Sequence, residues 1–484
     1  MNRTLTITCA TLIGSFGGPL AGTALAGNYN YLTSSTAVSV GPISNAQIAT
    51  SGRFNPSASQ ISTNRARFPV LDFTLNLQQR GLGEFNTVFD NMDAQINQIS
   101  DTFDAYDAGD ASVGDVLAEV DALETSLDNN VELLADSFYL KPGALVNLPM
   151  TPLSINMGNA GTLSLGASSL TQARGSLLHG PIEFDIDAQT VADTSDDNED
   201  LDALDYLRTT SSVYLKQGQV FNFDVGYAQA LPGVRFLDQF GIETTAGARG
   251  TLIAHNLQKH LYPLKDLARQ ASEDDSTLSN DISNDLSEGF EDFSLDVALD
   301  LGVTFERNKT LVGVTAYNLN APVLEYNRLG GDCDSISNDL AQTECYHAEY
   351  FASVGDIDLT EEHRLFPHIT VDASQSFLNN RIAIAGAADL WRKTDLFGEQ
   401  SQNINLAFLA QPTAWYWPRL RLGVGKDVLD FEATQLGLGL SFLNVVQFDT
   451  HINSVLGDLF SSDLTKQGNA LRSASAALSV NVAF

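Results

Sequence analysis

Basic residues are scarce in this chain. Its 484 residues include 26 Lys and Arg against 60 Asp and Glu, a formal net charge of −34 at pH 7. A surface that coats DNA or RNA needs clustered Lys and Arg to neutralise phosphates, so no direct contact with nucleic acid is expected. Long apolar runs are missing too. No stretch reaches the roughly 18 apolar residues that a membrane-crossing helix requires. Cysteine is rare, with three in the whole chain. Catalytic signatures are also lacking: there is no Gly-x-Ser-x-Gly elbow and no His-Glu-x-x-His motif. His363 and His368, near Glu361 and Glu362, read as the rim of a loop and the start of a strand. Gly423-Val424-Gly425-Lys426 lacks the spacer and the Ser or Thr of a phosphate loop, and its alternation with Leu420 and Leu422 makes it a strand. The chain is therefore not expected to be an enzyme, and no catalytic residue, metal or cofactor is expected.

What is present begins with an export signal. Arg3 and the amino terminus supply positive charge, Thr4 to Leu20 form a weakly apolar stretch, and Ala24-Leu25-Ala26 is a small-x-small cleavage site. Residues 1–26 are thus expected to be a signal peptide that carries Cys9 away. Cys333 and Cys345 remain, and in an oxidising compartment so close a pair most simply forms a disulfide. A metal site with Asp332, Asp334 and His347 competes with it, but no Cys-x-x-Cys spacing supports that reading.

Alternation dominates the rest. Leu71, Phe73, Leu75 and Leu77 alternate with Asp72, Thr74, Asn76 and Gln78. Residues 221–227, 295–305, 435–442 and 446–453 repeat the pattern, with weaker runs near 310–319, 364–376, 380–391, 402–410 and 418–429. Strands of about ten residues with one apolar face fit a tilted bilayer crossing, whereas strands of soluble sheets run to about five or six. Trp391, Trp415, Tyr416 and Trp417 fall at strand ends, where an aromatic girdle belongs. The pattern predicts an all-β protein, a Gram-negative outer-membrane β-barrel of about 14 antiparallel strands over residues 67–484. Its partners would be outer-membrane lipid and, through the terminal strand ending at Phe484, the barrel assembly machinery. Arg419, Arg421, Asp296 and Asp300 then point into the lumen, where they set a constriction, hold a plug or form a satisfied internal network.

One insertion breaks the alternation. From Phe85 to Tyr106, and again from Val113 to Phe138, apolar residues recur at three-four spacing, which predicts a helical hairpin over 84–140. Glu84 to Leu140 contains fourteen acidic residues and no Lys or Arg. With no ion pairs along it, the hairpin must be held by its apolar stripes, packed either on each other or on the barrel mouth or a partner. With both termini in the periplasm, this hairpin and residues 193–205, 270–292 and 328–362 lie outside. Asp193 to Asp205 holds seven acids in thirteen residues and Glu273 to Asp292 eight in twenty, and neither has EF-hand spacing. They read as solvated acidic surface.

Phe54-Asn55-Pro56-Ser57-Ala58 resembles an early Asn-Pro-Ala element found in two related families. One is the FadL-like group of outer-membrane transporters for hydrophobic compounds, and the other is the TraF-like group linked to conjugal plasmid transfer. The TraF-like resemblance continues through a strand, an Asp-rich helical segment and a return strand, here Phe68–Gln78, Glu84–Phe138 and Gly143–Asn159. Leu299-Asp300-Leu301-Gly302-Val303, Val312-Gly313-Val314, Tyr317–Pro322 and Arg419–Gly423 are similar to strands of both groups. Ser57 stands where the families have Ala. The resemblance implies that residues 27–66 form a hatch-like plug, with Phe54, Asn55 and Pro56 at its centre. It also implies a plugged channel for small apolar compounds, with ligands leaving through a kinked or interrupted strand. The alternative is a non-transporting cell-surface interaction protein, accessory to conjugation.

Overall fold

A computed structural model describes residues 36–45, 48, 51–61, 66–81, 98, 101–106, 108–191, 206–231, 239–272, 293–412, 416–443, 445–457 and 470–483. The expected signal peptide, Trp415 and Phe484 lie outside these residues.

The strands follow in chain order. β1 is Ala66–Arg80, β2 Tyr139–Asn147, β3 Leu153–Asn156, β4 Thr162–Leu178, β5 Ile182–Phe184, β6 Leu207–Thr209 and β7 Ser212–Ala230. β8 is Glu243–Pro263, β9 Ser294–Arg307, β10 Thr310–Tyr317, β11 Val323–Glu325, β12 Glu362–Arg364, β13 His368–Phe377 and β14 Ile382–Asp389. β15 is Lys393–Thr394, β16 Gln400–Ser401, β17 Asn403–Ala410, β18 Arg419–Asp427, β19 Thr434–Phe442, β20 Val446–Ser454 and β21 Leu471–Ala483. Among the described helices, α1 is Ala37–Val40, α2 Ser51–Phe54, α3 Val113–Ser137, α4 Leu264–Ser272 and α5 Asp339–Val354.

Fifteen strands join in one antiparallel sheet, in the order β2-β1-β21-β20-β19-β18-β17-β14-β13-β10-β9-β8-β7-β4-β3, and β2 and β3 each pair with both β1 and β4. β2 and β3 therefore share one position, and the sheet closes on itself as a barrel of 14 strands. Three further two-stranded pairings, β5–β6, β11–β12 and β15–β16, lie within the long connections. The connections alternate. Two residues join β9 to β10 and four join β13 to β14, whereas the links β1–β2, β4–β7, β8–β9, β10–β13 and β14–β17 are long and all leave the opposite end. The strands that flank each insertion read as external from the sequence all end there; residues 193–205 and 273–292, and most of 84–100, lie outside the described residues.

Burial along the strands is inverted relative to a soluble protein. On β9, Leu295, Val297, Leu299 and Leu301 are exposed while Ala298 and Asp300 are buried. On β1, Leu71 and Leu75 are exposed while Asp72 and Thr74 are covered. Apolar side chains point out and polar ones in, the arrangement a bilayer demands of a closed barrel. Trp391, Tyr416 and Trp417 are exposed near strand ends, as a girdle requires.

The helical insertion is held as its composition dictates. Ser112 and Asp115 form a capping box at the start of α3, and these hydrogen bonds hold the Asp115 carboxyl below its usual range. Val116, Val120, Leu123, Leu127, Val131 and Leu134 form one buried stripe. They pack with Phe103 of the preceding helical segment, with Leu177 of β4, with Ile182 of β5 and Leu207 of β6, and with Ile186 just beyond β5. The stripe thus docks on the barrel as well as on its partner. Cys333 and Cys345 are disulfide-bonded and anchor α5.

Candidate functional site

The described N-terminal segment crosses the barrel interior. α1 lies against β17, β18, β19 and β20, while the turn Pro56–Ile61 lies against β7, β8 and β9 on the far wall. Phe54, Asn55 and Ser57 are buried. Two glycine patches make room for this backbone. A methyl group at Gly302 would meet Pro56 Cδ at 2.9 Å and overlap the Asn55 side chain, and one at Gly247 would lie 2.6 Å from the Pro56 carbonyl carbon. On the opposite wall, a methyl group at Gly437 would come within 2.6 Å of the Ser39 carbonyl carbon. Gly423 and Gly439 crowd the same residue. Larger side chains at these points would leave no space for the segment.

Polar contacts fix it in register. Arg53 Nη1 sits 3.2 Å from Asp72 Oδ2 on β1, and Nη2 donates to the Thr151 carbonyl at 3.2 Å. The Ser44 amide donates to Asp372 on β13 at 2.8 Å. The Tyr317 hydroxyl donates to the Phe54 carbonyl, and Asn55 Nδ2 donates to Val303 O at 3.4 Å. Ser57, the departure from Ala, donates its hydroxyl to Asn55 Oδ1 at 2.6 Å and locks that side chain within the turn.

The four charges expected in the lumen divide differently. Arg421 pairs with Asp449 at 2.8 Å, and Asp449 also accepts the Ser39 hydroxyl. Asp300 pairs with Arg249 at 2.6 Å, and Arg249 donates to the Arg53 carbonyl. Asp296 lies 4.0 Å from His255, and Arg419 flanks Ser441 at the start of β18. Arg421 and Asp300 thus pair within their own parts of the wall, β18 with β20 and β9 with β8, rather than with each other. Two of the four, Arg421 and Asp300, reach the segment through partners that lay elsewhere in the chain. Sequence reasoning missed Arg53, Asp72, Arg249, Asp372 and Asp449. Alternation places Asp72 and Asp449 inward, but pairing needs strand order.

Arg53 also marks an irregularity in the wall. Between the register pairs Asp72↔Asn147 and Arg67↔Ser154, β1 has four residues and the facing chain has six. Pro149 and Pro152, in that stretch, have no N–H to give to a ladder. Met150 N reaches the Pro69 carbonyl at 2.7 Å, but residues 148–152 leave the strand, and β1 is itself bulged between Pro69 and Leu71. On the other wall a cavity of about 90 Å³ lies between residues 37–42 and β17–β19, lined by Lys393, Asn403, Asn405 and His451.

Above the segment, toward the loop end, the interior turns apolar. Leu145, Leu170, Val220, Ile253, Leu257 and Ala298 face inward on β2, β4, β7, β8 and β9. They are covered by Leu324, Tyr326, Leu365, Leu396 and Phe397 from two long connections.

Among solved structures, a monoaromatic hydrocarbon channel described as the TodX deltaS2S3 mutant is 10% identical with a TM-score of 0.40, covering 94% of this chain and 98% of that one. The toluene transporter TodX of Pseudomonas putida is 9% identical at a TM-score of 0.38, covering 93% and 96%. The monoaromatic hydrocarbon channel CymD is 10% identical at 0.34, covering 93% and 98%. Scores this low carry neither ligand nor mechanism to this chain. No curated protein matches it. The family model described as "F plasmid transfer operon, TraF, protein" matches residues 54–389, which is 336 of the 484 residues, beginning at the Phe54-Asn55-Pro56 element. The chain belongs to that TraF family.

Proposed function

We propose that the protein is a plugged outer-membrane channel for small apolar compounds, with the loop end outside and the N-terminal segment as its plug. One observation carries the reading: Arg53 holds the segment at once to Asp72 of the wall and to the Thr151 carbonyl at the interruption between β2 and β3. Movement of the segment would therefore be felt at the one place in the described wall where a strand position is broken. An apolar solute that passed the plug could leave sideways there, into the bilayer. In a closed barrel every ladder group is paired, so such an exit needs a strand that is interrupted and locally satisfied by other means. The contacts of Met150 and Thr151 to neighbouring carbonyls meet that need.

A cell-surface docking role would leave the helical stripe bare. Phe103 is covered instead, and Phe85, Met92 and Ile99 lie outside the described residues. The transport reading is tested by planar-bilayer conductance and by uptake of a radiolabelled aromatic hydrocarbon, comparing the intact chain with one lacking residues 27–66. Deletion is expected to open a pore that the intact chain keeps closed. Equal conductance of the two forms would refute the plug.

A further inference from the structure

The connection between β14 and β17 does more than join two strands. Its β15–β16 hairpin enters the barrel mouth and places Leu396 and Phe397, both fully covered, in the apolar patch made by Leu145, Leu170, Val220 and Leu257. Gly218 on the inner face of β7 adjoins the tip: a methyl group there would lie 2.7 Å from Leu257 Cδ2 and 3.3 Å from Leu396 Cδ1. The tip is a built turn. Asp395 Oδ1 accepts the amides of Phe397 and Glu399 at 3.0 and 2.9 Å, and Tyr326 donates its hydroxyl to the Leu396 carbonyl at 2.6 Å. One buried cation holds it down. Lys141, on the inner face of β2 and 1% exposed, reaches Asp395 Oδ2 at 2.6 Å and also Glu399.

We infer that this hairpin is a displaceable stopper: Leu396 and Phe397 occupy an entry site for an apolar compound of one or two rings, and Lys141 is the latch. The chemistry suits release. A buried ion pair gains little over its hydrated partners, so the latch fixes one arrangement without making opening prohibitive. The patch behind the tip is made of aliphatic groups, with Asn222 and His255 buried on the same inner faces of β7 and β8, so whatever replaces the two side chains must be uncharged and mainly apolar. The inference rests on the channel reading, because an entry site has meaning only if the barrel passes something.

The test uses full-length protein and reads amide exchange of residues 393–401 by mass spectrometry. The probe is naphthalene near its aqueous saturation, and heat-modifiable gel migration reports the closed barrel. In the wild type, naphthalene is expected to speed exchange across 393–401 while β17 and β14 stay protected. Lys141→Gln is expected to speed it about tenfold without probe, through loss of the latch. If that variant does not close its barrel, Asp395→Asn with Glu399→Gln removes the latch from the loop side and carries the same expectation. A hairpin whose exchange is unchanged by naphthalene, or unchanged by loss of the latch, overturns the stopper. The channel reading fails separately, when deletion of residues 27–66 opens no pore. A conducting deletion variant with an unresponsive hairpin would refute the stopper alone.

Discussion

Arg53 and Asp72 meet 3.2 Å apart inside the barrel, with Asp72 wholly covered and Arg53 nearly so. Removing one member of such a pair leaves the other charge buried and uncompensated, at a cost of about 3–5 kcal/mol. Arg53→Met is therefore expected to release the segment rather than unfold the wall, which its strand ladders hold. Single-channel recordings should show frequent openings that are absent from the wild type, with heat-modifiable migration retained. Wild-type-like silence would mean that Arg53 does not hold the segment.

The glycine patches give a purely steric version of the same experiment. Gly302→Val and Gly437→Val put a branched side chain where Asn55, Pro56 and the Ser39 backbone now lie. On either strand the new side chain is itself a good strand former, so the wall should tolerate it. Each variant is expected to expose the segment to trypsin at Arg53, whose side chain is 10% exposed in the intact protein. Protection equal to wild type would mean that the segment can seat without these glycines.

Much of this architecture was legible in the sequence. Period-two alternation at Leu295–Phe305 and Leu71–Leu77 set which side chains face lipid, and the three-four spacing of Val116 to Leu134 set the buried face of α3. What alternation cannot supply is who stands opposite whom. Arg421 meets Asp449 because β18, β19 and β20 are neighbours, whereas Asp300 meets Arg249 on β8. The latch between Lys141 and Asp395 joins residues 254 positions apart, and no local pattern encodes it. The wall interruption was also hidden. Gly and Pro are spread through many strands, and only the mismatch of register between β1 and residues 148–152 identifies the break.

The outward apolar band makes a prediction that separates a membrane barrel from a water-soluble one. Leu299 is 47% exposed at the middle of β9. In water, Leu299→Arg would be nearly neutral, within about 0.5 kcal/mol. At a bilayer midplane the same change costs about 2–4 kcal/mol. Urea-driven unfolding from phospholipid vesicles should show the larger loss, and Ala298→Ser, on the inner face of the same strand, should show a much smaller one. A neutral Leu299→Arg would place β9 outside lipid.

Acid should loosen the loop end before it affects the wall. Burial lowers the pKa of His347 on α5, opposed by nearby Asp266, and that of His363 on β12, opposed by Asp395 and Glu361 and reinforced by Lys216. His347 Nδ1 lies 2.9 Å from the Ser212 hydroxyl, and α5 also presses Phe351 and Ala348 onto Tyr214 and Leu261 at the top of β7 and β8. Both imidazoles are thus favoured neutral in the closed form. An opened loop, with an ordinary histidine pKa near 6.5, binds more protons below that pH. The closed form then loses stability as the pH falls through about 6.5, and the loss levels off once the pH is below the folded values. Above about pH 7.5 neither group contributes. Exchange over residues 339–365, corrected for the intrinsic pH dependence of amide chemistry, should rise between pH 7.5 and 5 while the strands stay protected. His347→Gln and His363→Gln should each flatten part of that slope. A pH-independent loop end in the wild type would show that the two histidines are not held neutral by their surroundings.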